Sequence, residues 1–503
     1  MKFFSGAIVV FLVVLGLSGC EQSRPSDIRA ETFDMLETIR TDKKQVISNL
    51  LNDLHVKTST AGDDEFLMSL YFAYHDAVQD EKINFENFTD RSFDLDRHYV
   101  QNYGSFYDIL FIDKSGLIFQ SVKMESDFGK NIFEGELGRT TLAKTLTQDP
   151  DVQFIDYAYY SPSKEAASFF ILPVSDNNTH TGWIAFQFSV NAFNSILVDY
   201  ENLRRTGEVY LTNADKMMLS QSRFLPENST LGVEVNTEAV RTSLEKNSGN
   251  MILADYRGVS VFSSFEKMSF LGVTWIIVAE IDEDEVITDH LMDNLDFYME
   301  QIAPNWTIGA DHTSGQAATD LLETRVDINE FAMTKGDSNL VTYGVATCTG
   351  VIIRQSDGFS YLGHIYPLDQ TYRSGWDNAL MEIGAKLSGR NEFIGKRDLL
   401  GGMIGRIKNF DVVPADLNKL KITLIATHTD GFPHIIKGLL SQGIFASQIR
   451  ILYNPDATYA NITVIGDAVE NIVEWKDEND SRWSTDWGNH DLGYWVKNAS
   501  GYI

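Results

Sequence analysis

Two stretches of this chain repeat one another, and that duplication limits its folds more than any other feature. "YDILFIDKSGLIFQSV" (107–122) reads as an apolar strand, an Asp-Lys-Ser-Gly turn and a second strand; "GEVYLTNADKMMLSQS" (207–222) repeats the form around Asn-Ala-Asp-Lys. The echo continues, because 155–193 matches 254–286: each opens on Asp-Tyr, passes an alternating strand and closes on Trp followed by another strand. Ahead of both copies, 27–54 spaces its apolar residues at three and four, with Phe33, Leu36, Ile39, Val46 and Leu50 near one helical face. Tandem five-stranded antiparallel units behind one long helix is the economical reading, and the expected class is α+β.

The start of the chain says where such a fold would live. "MKFFSGAIVVFLVVLGLSGC" carries one positive charge, Lys2, then an apolar stretch and small residues, which is a secretory signal too short to span a membrane. Its ending, Leu17-Ser18-Gly19-Cys20, resembles the bacterial lipobox, which implies cleavage before Cys20 and lipidation of its thiol; an ordinary signal peptide with a chance cysteine is the alternative. Each buried CH₂ of such an anchor contributes about 0.8 kcal/mol. Glu21 points to the outer membrane, periplasmic side, so the membrane partner is expected through the lipid alone. With 71 acidic against 41 basic residues the net charge is −30, which disfavours nucleic acid as a partner. A composition of 43% hydrophobic residues allows a sizeable core, and the length fits two or three domains.

The repeated half resembles the double Cache (dCache) sensor family, most closely at "DYRGVSVFSSFEKMSFLGVTWIIVAEID", over roughly residues 30–292. The resemblance implies two PAS-like sheet units within 21–292, a distal one at about 95–195 and a proximal one at about 200–292. It also implies a small-molecule ligand in the distal unit, against the sheet around Asp156, Tyr157, Tyr159 and Tyr160, with Gln187 as a fifth candidate contact. The family's amino-acid-binding branch carries an Arg-x-Trp-Tyr signature and a later Asp. Here the matching positions are Arg139-Thr140-Thr141-Leu142 and Gln187, so amino-acid binding is not carried over. Alternating aromatics in a strand also commonly face a core, and that reading of the tyrosines stays open.

A polar stretch, 293–325, is expected to link this half to the remainder, 326–503. There "VTYGVATC" and "TGVIIRQ" read as strand, Ser356-Asp357-Gly358 as a turn, and "FSYLGHIYPL" as the returning strand, which brings Cys348 and His364 onto neighbouring strands. Of two cysteines, only Cys348 remains as a free thiol if Cys20 is lipidated. A histidine partner that lowers the thiol pKa makes a nucleophile; a buried cysteine is otherwise a small hydrophobe.

This segment resembles the chemoreceptor glutamine deamidases (CheD), which share a sandwich-like α/β fold with deamidating toxins. Thr342 lies six residues before Cys348, and Gly363-His364 follows; "KRDLLGGMIGRI" (396–407), after a helix at 376–389, and 417–431 match later family segments. The resemblance implies Cys348 as nucleophile, His364 as general base and acid, Thr342 orienting the imidazole, and an envelope protein as substrate. Ala346-Thr347 replaces the family's Gly-Ser, and the Cys–His spacing is one residue short. His428, Asp430 and His434 are too few for a metal site, and no phosphate loop or His-Glu-x-x-His occurs, so neither metal nor cofactor is expected. Two functions follow: a ligand-sensing lipoprotein carrying deamidase chemistry, or a non-enzymatic sensor whose C-terminal domain docks a partner.

Overall fold

The computed structural model describes residues 27–79, 95–101, 106–198, 203–225, 229–305, 322–336, 338–366, 393–396, 403–404, 417–465, 471–476, 481–484 and 491–500. The lipobox ending at Cys20, the expected helix at 376–389 and nearly all of 396–407 lie outside these. Two compact units form, one over Arg29–Val286 and one built on Ile287–Ile503. No described helix is long and apolar enough to cross a membrane.

The first unit opens with α1 (Ile28–Thr60) and α2 (Glu65–Gln79). The buried stripe of α1 is Phe33, Leu36, Ile47, Leu51 and Leu54, whereas Val46, expected on that face, is 49% exposed. At 100° per residue, Ile47 falls back in line with Leu36 while Val46 is a quarter-turn away. Arg40 is buried on the same side and reaches Ser264 Oγ (2.8 Å) and Glu266 (3.3 Å).

Two sheets of like topology follow. The distal sheet holds β1 (Phe106–Asp113), β2 (Ile118–Ser121), β3 (Phe154–Tyr160), β4 (Glu165–Asp176) and β5 (Thr179–Ser189), in the order β2-β1-β5-β4-β3. α3 (Thr141–Gln148) packs Leu142, Ala143 and Leu146 against one face, and α4 (Asn191–Leu197) leads out. The proximal sheet holds β6 (Glu208–Asn213), β7 (Ser248–Ala254), β8 (Ser260–Phe270) and β9 (Val273–Asp282), in the order β6-β9-β8-β7. A bridge from Thr212 to Met218 stands where β2 does, and α5 (Glu238–Lys246) where α3 does. Matching local chemistry makes matching copies. Thr140 and Thr237 both cap their helix by accepting a backbone N–H, and Asp113 and Asn213 both close the first turn through side-chain Oδ1.

The unit boundary falls inside α6 (Glu283–Asp293), and α7 (Leu295–Asn305) follows where the polar linker was expected to begin. Leu295, Tyr298 and Met299 give α7 an apolar face, and Tyr298 Oη meets His290 Nε2 at 2.9 Å. Two sheets make up the rest. One runs β10 (Leu322–Arg325), β12 (Ser338–Val345), β18 (Tyr459–Val464), β19 (Asn471–Lys476) and β20 (Ser481–Ser484). The other runs β15 (Phe393–Lys396), β11 (Glu330–Thr334), β14 (Ser360–Ile365), β13 (Thr349–Arg354), β16 (Lys421–Ala426) and β17 (Ile449–Tyr453). Val345, Ile352, Leu362, Ile425, Ile462 and Trp475 form a shared core between them. The helices α8 (Phe432–Ser441) and α9 (Leu492–Ala499) complete the unit.

Candidate functional sites

The C-terminal candidate is built where the chain changes sheets. β12 ends at Val345, residues 346–348 bend, and β13 begins in the facing sheet at Thr349. Cys348 therefore stands at a corner between sheets, 4% exposed, within their shared core. The β13–β14 hairpin turns at 355–359 with Gly358 at φ +95°. Its register sets Gly350, not Cys348, directly opposite His364. Cys348 lies two positions before Gly350, in the bend outside the ladder, so no strand pairing sets it against His364. A Cβ on Gly350 would come within 2.2 Å of Ile462 Cδ1, so a side chain here would require the Ile462 tip to shift.

Thr342 reaches His364 from the opposite sheet, with Oγ1 2.8 Å from Nδ1. The same hydroxyl donates its proton to the Val326 carbonyl at 2.7 Å. Its oxygen must then accept from the imidazole, which places the ring proton on Nδ1 and leaves a lone pair on Nε2. Among the described residues that buried Nε2 has no hydrogen-bond partner. Burial pushes the His364 pKa down to about 4, with Asp327 acting the other way. Burial also pushes the Cys348 thiol up, with a Thr347 hydrogen bond opposing it. The expected histidine-lowered thiol finds no support in these contacts: burial disfavours the charged form of each group, and among the described residues no hydrogen bond joins Cys348 to His364 Nε2. The Thr427 hydroxyl donates to the Ala346 carbonyl, fixing the bend.

In the distal sheet, the five residues expected around a ligand divide between its two faces. A bulge between Ile155 and Ala158 turns Tyr157 away from α3, into a cluster with Phe188, Phe193 and Trp275. Asp156 accepts from Trp275 Nε1 at 2.8 Å, and its burial raises its pKa to about 6. Tyr159 is 62% exposed. Tyr160 and Gln187 remain with the α3 face, together with acidic residues that alternation alone did not single out. Asp108 stands opposite Gln187 in the β1–β5 ladder, and Glu165 opposite Tyr160 in β3–β4. Tyr160 Oη donates to Asp127 Oδ2 at 2.6 Å, Gln187 Nε2 to Ser163 Oγ at 3.1 Å, and Tyr107 Oη to Glu125 at 2.7 Å. The one sequence signal for this cluster was Asp108 itself, an acid interrupting an apolar strand.

Burial brings Asp108 up to about 7, and the Asp127 charge adds to the effect. Burial also raises Asp127, and raises Glu165 with a contribution from Glu125. Four buried acceptor atoms here lack a hydrogen-bond partner among the described residues: Glu125 Oε2, Asp127 Oδ1, Glu165 Oε1 and Gln187 Oε1.

No protein-family model and no curated protein matches the chain. Among solved structures it is similar to the extracellular ligand binding receptor from Desulfohalobium retbaense DSM5692, at 15% identity over 50% of this chain and 40% of that one, TM-score 0.35. It is similar at 12% identity to the ligand binding domain of the Pseudomonas aeruginosa PAO1 chemoreceptor PctB in complex with L-Arg, over 52% of this chain and 97% of that one, TM-score 0.33. The periplasmic sensory domain of the Campylobacter jejuni chemoreceptor Tlp1 matches at 12%, over 52% and 98%, TM-score 0.36. Likeness at this level carries no argument about ligand or activity, which rest on the geometry above.

Proposed function

We propose that the chain is an envelope sensor whose 29–286 unit, of double Cache type, takes a small molecule on the α3 face of its distal sheet. One observation carries this reading. The duplicated sheets place buried polar groups at matching register, Asp108 opposite Gln187 and Glu208 opposite Glu280, and among the described residues the distal set has acceptors without donors where the proximal set has none. In the proximal copy Tyr256, Ser222 and the Arg223 amide serve Glu208, while Ser263 and Tyr210 serve Glu280. A buried acceptor left bare costs about 1–3 kcal/mol, which a bound donor would return. A membrane tether through Cys20 fits this role. A thermal-melt screen of metabolites on the full chain tests the proposal, since a ligand at a hundred times its Kd adds about 2.7 kcal/mol. Stabilisation abolished by Gln187→Leu supports it; no shift from any compound refutes it.

The Thr342–His364 contact favours a second activity, cysteine-dependent amide hydrolysis in the 287–503 unit. Nε2 of His364 takes the thiol proton as Cys348 Sγ attacks a carboxamide carbon. The imidazolium then returns that proton to the leaving ammonia, and water hydrolyses the thioester to a carboxylate and the free thiol. Ammonia release from glutamine-containing envelope proteins should vanish in Cys348→Ala; release that persists removes this activity and leaves a docking module.

A further inference from the structure

The geometry points to an organic cation carrying two or more ammonium groups as the distal unit's ligand, a class that deepens the sensing reading and rests on it. Asp108, Glu125, Asp127 and Glu165 gather on one side of the distal sheet, tied to it through Ser121, Tyr107, Tyr160 and the β3–β4 ladder. Asp127 and Gln187 are 1% and 0% exposed, yet each keeps an oxygen with no donor. A cluster of acids on a surface is solvated; here Asp108 and Asp127 are buried, Glu125 and Glu165 are half-buried, and the group is short of donors. Among the described residues none of the four carboxylates forms an ion pair. The nearby cations are exposed: Lys123 lies 5.5 Å over the Tyr107 ring, and Lys130 acts on Asp127.

Three ligand classes compete for such a site, and the arrangement separates them. A lone metal ion needs several ligands converging within bonding distance, and no described group of three acidic, histidine or cysteine side chains does so. An anion would meet carboxylates, and the described cations beside them, Lys123 and Lys130, are exposed. Four acceptors on four side chains that do not converge on one point suit a cation with more than one ammonium group, each offering three N–H bonds. The proximal copy sharpens the contrast: there Arg257 pairs with Asp255 and Asp282, so that unit supplies its own cation.

The test is calorimetric titration of the full chain with 1,4-diaminobutane, n-butylamine, Ca²⁺, L-glutamine and succinate at pH 7, in two buffers of different ionisation enthalpy. The diamine should bind at least about tenfold more tightly than the monoamine. It should release protons, because a cation beside Asp108 favours its ionised form. Glu165→Gln, at the half-buried rim, and Asp127→Asn should each weaken binding about tenfold, with the melting temperature of Glu165→Gln unchanged. Diamine binding indifferent to both substitutions, or no diamine binding, overturns the proposal. Glutamine or succinate binding that Gln187→Leu abolishes overturns the amine class but keeps the sensing reading. Silence from these compounds and from the metabolite screen removes both.

Discussion

Replacing Thr342 by valine exchanges a hydroxyl for a methyl of nearly equal volume, so its cost reports hydrogen bonding rather than packing. Two groups lose their partner: the Val326 carbonyl, bonded at 2.7 Å, and His364 Nδ1–H, bonded at 2.8 Å, both from a hydroxyl on a residue with 0% exposure. At about 1–3 kcal/mol for each buried group left bare, the C-terminal unit should lose about 2–6 kcal/mol. Amide hydrogen exchange along the β13–β14 hairpin measures this within the full chain. Nitrogen-15 NMR of histidine reads the tautomer directly: proton on Nδ1 in the wild type, moving towards Nε2 in Thr342→Val. His364 should stay neutral down to about pH 4. Its folded pKa lies below the ordinary 6.5, so the stability it contributes is full above 6.5 and is lost as pH falls towards 4. That loss is about 3 kcal/mol. An Nε2–H tautomer in the wild type, or a cost below about 0.5 kcal/mol, would refute the assignment of Thr342 as the group orienting the ring.

Three further outcomes follow from burial. Tyr157→Ala should cost about 3–5 kcal/mol as a core truncation, Tyr159→Ala should stay within about 0.5 kcal/mol, and neither should alter ligand affinity; thermal melts and the titration above check this. Cys348 should react with iodoacetamide at pH 7 more slowly than a free thiol, since burial hinders access and holds the proton on sulfur; faster reaction would restore the lowered-pKa picture. Asp108 has a folded pKa above its ordinary 3.8, so the distal sheet is most stable below 3.8 and weakens as pH rises to about 7. That weakening is about 4 kcal/mol, and Asp108→Asn should flatten it in exchange measurements on β1.

Much of the first unit was legible because its signals are local. Turn chemistry at Asp113 and Asn213, strand alternation and the Asp-Tyr and Trp landmarks all recur, and the two sheets share a strand order. The C-terminal contact between Thr342 and His364 was legible only through a resemblance, since it joins two sheets and no local period encodes it. What stayed hidden has physical reasons. The bulge at 155–158 shifts the phase of alternation by one, which turns Tyr157 away from the face that Ile155 and Tyr160 share. Asp108, Glu125, Asp127 and Glu165 come together only through folding; Asp108 is marked by interrupting an apolar strand, and among 71 acidic residues nothing marks the other three in advance. The helix from Leu295 follows a change of composition that read as linker, because its apolar face is short.

The claim that the distal sheet is the small-molecule site is tested most directly by hydrogen exchange of the full chain, with and without the metabolite that raises its melting temperature most. The account predicts slowed exchange at 121–128 and 154–165, where Glu125, Asp127 and Glu165 lie, and none in the strands of 208–282. Slowed exchange confined to 208–282, or to the 287–503 unit, would contradict it.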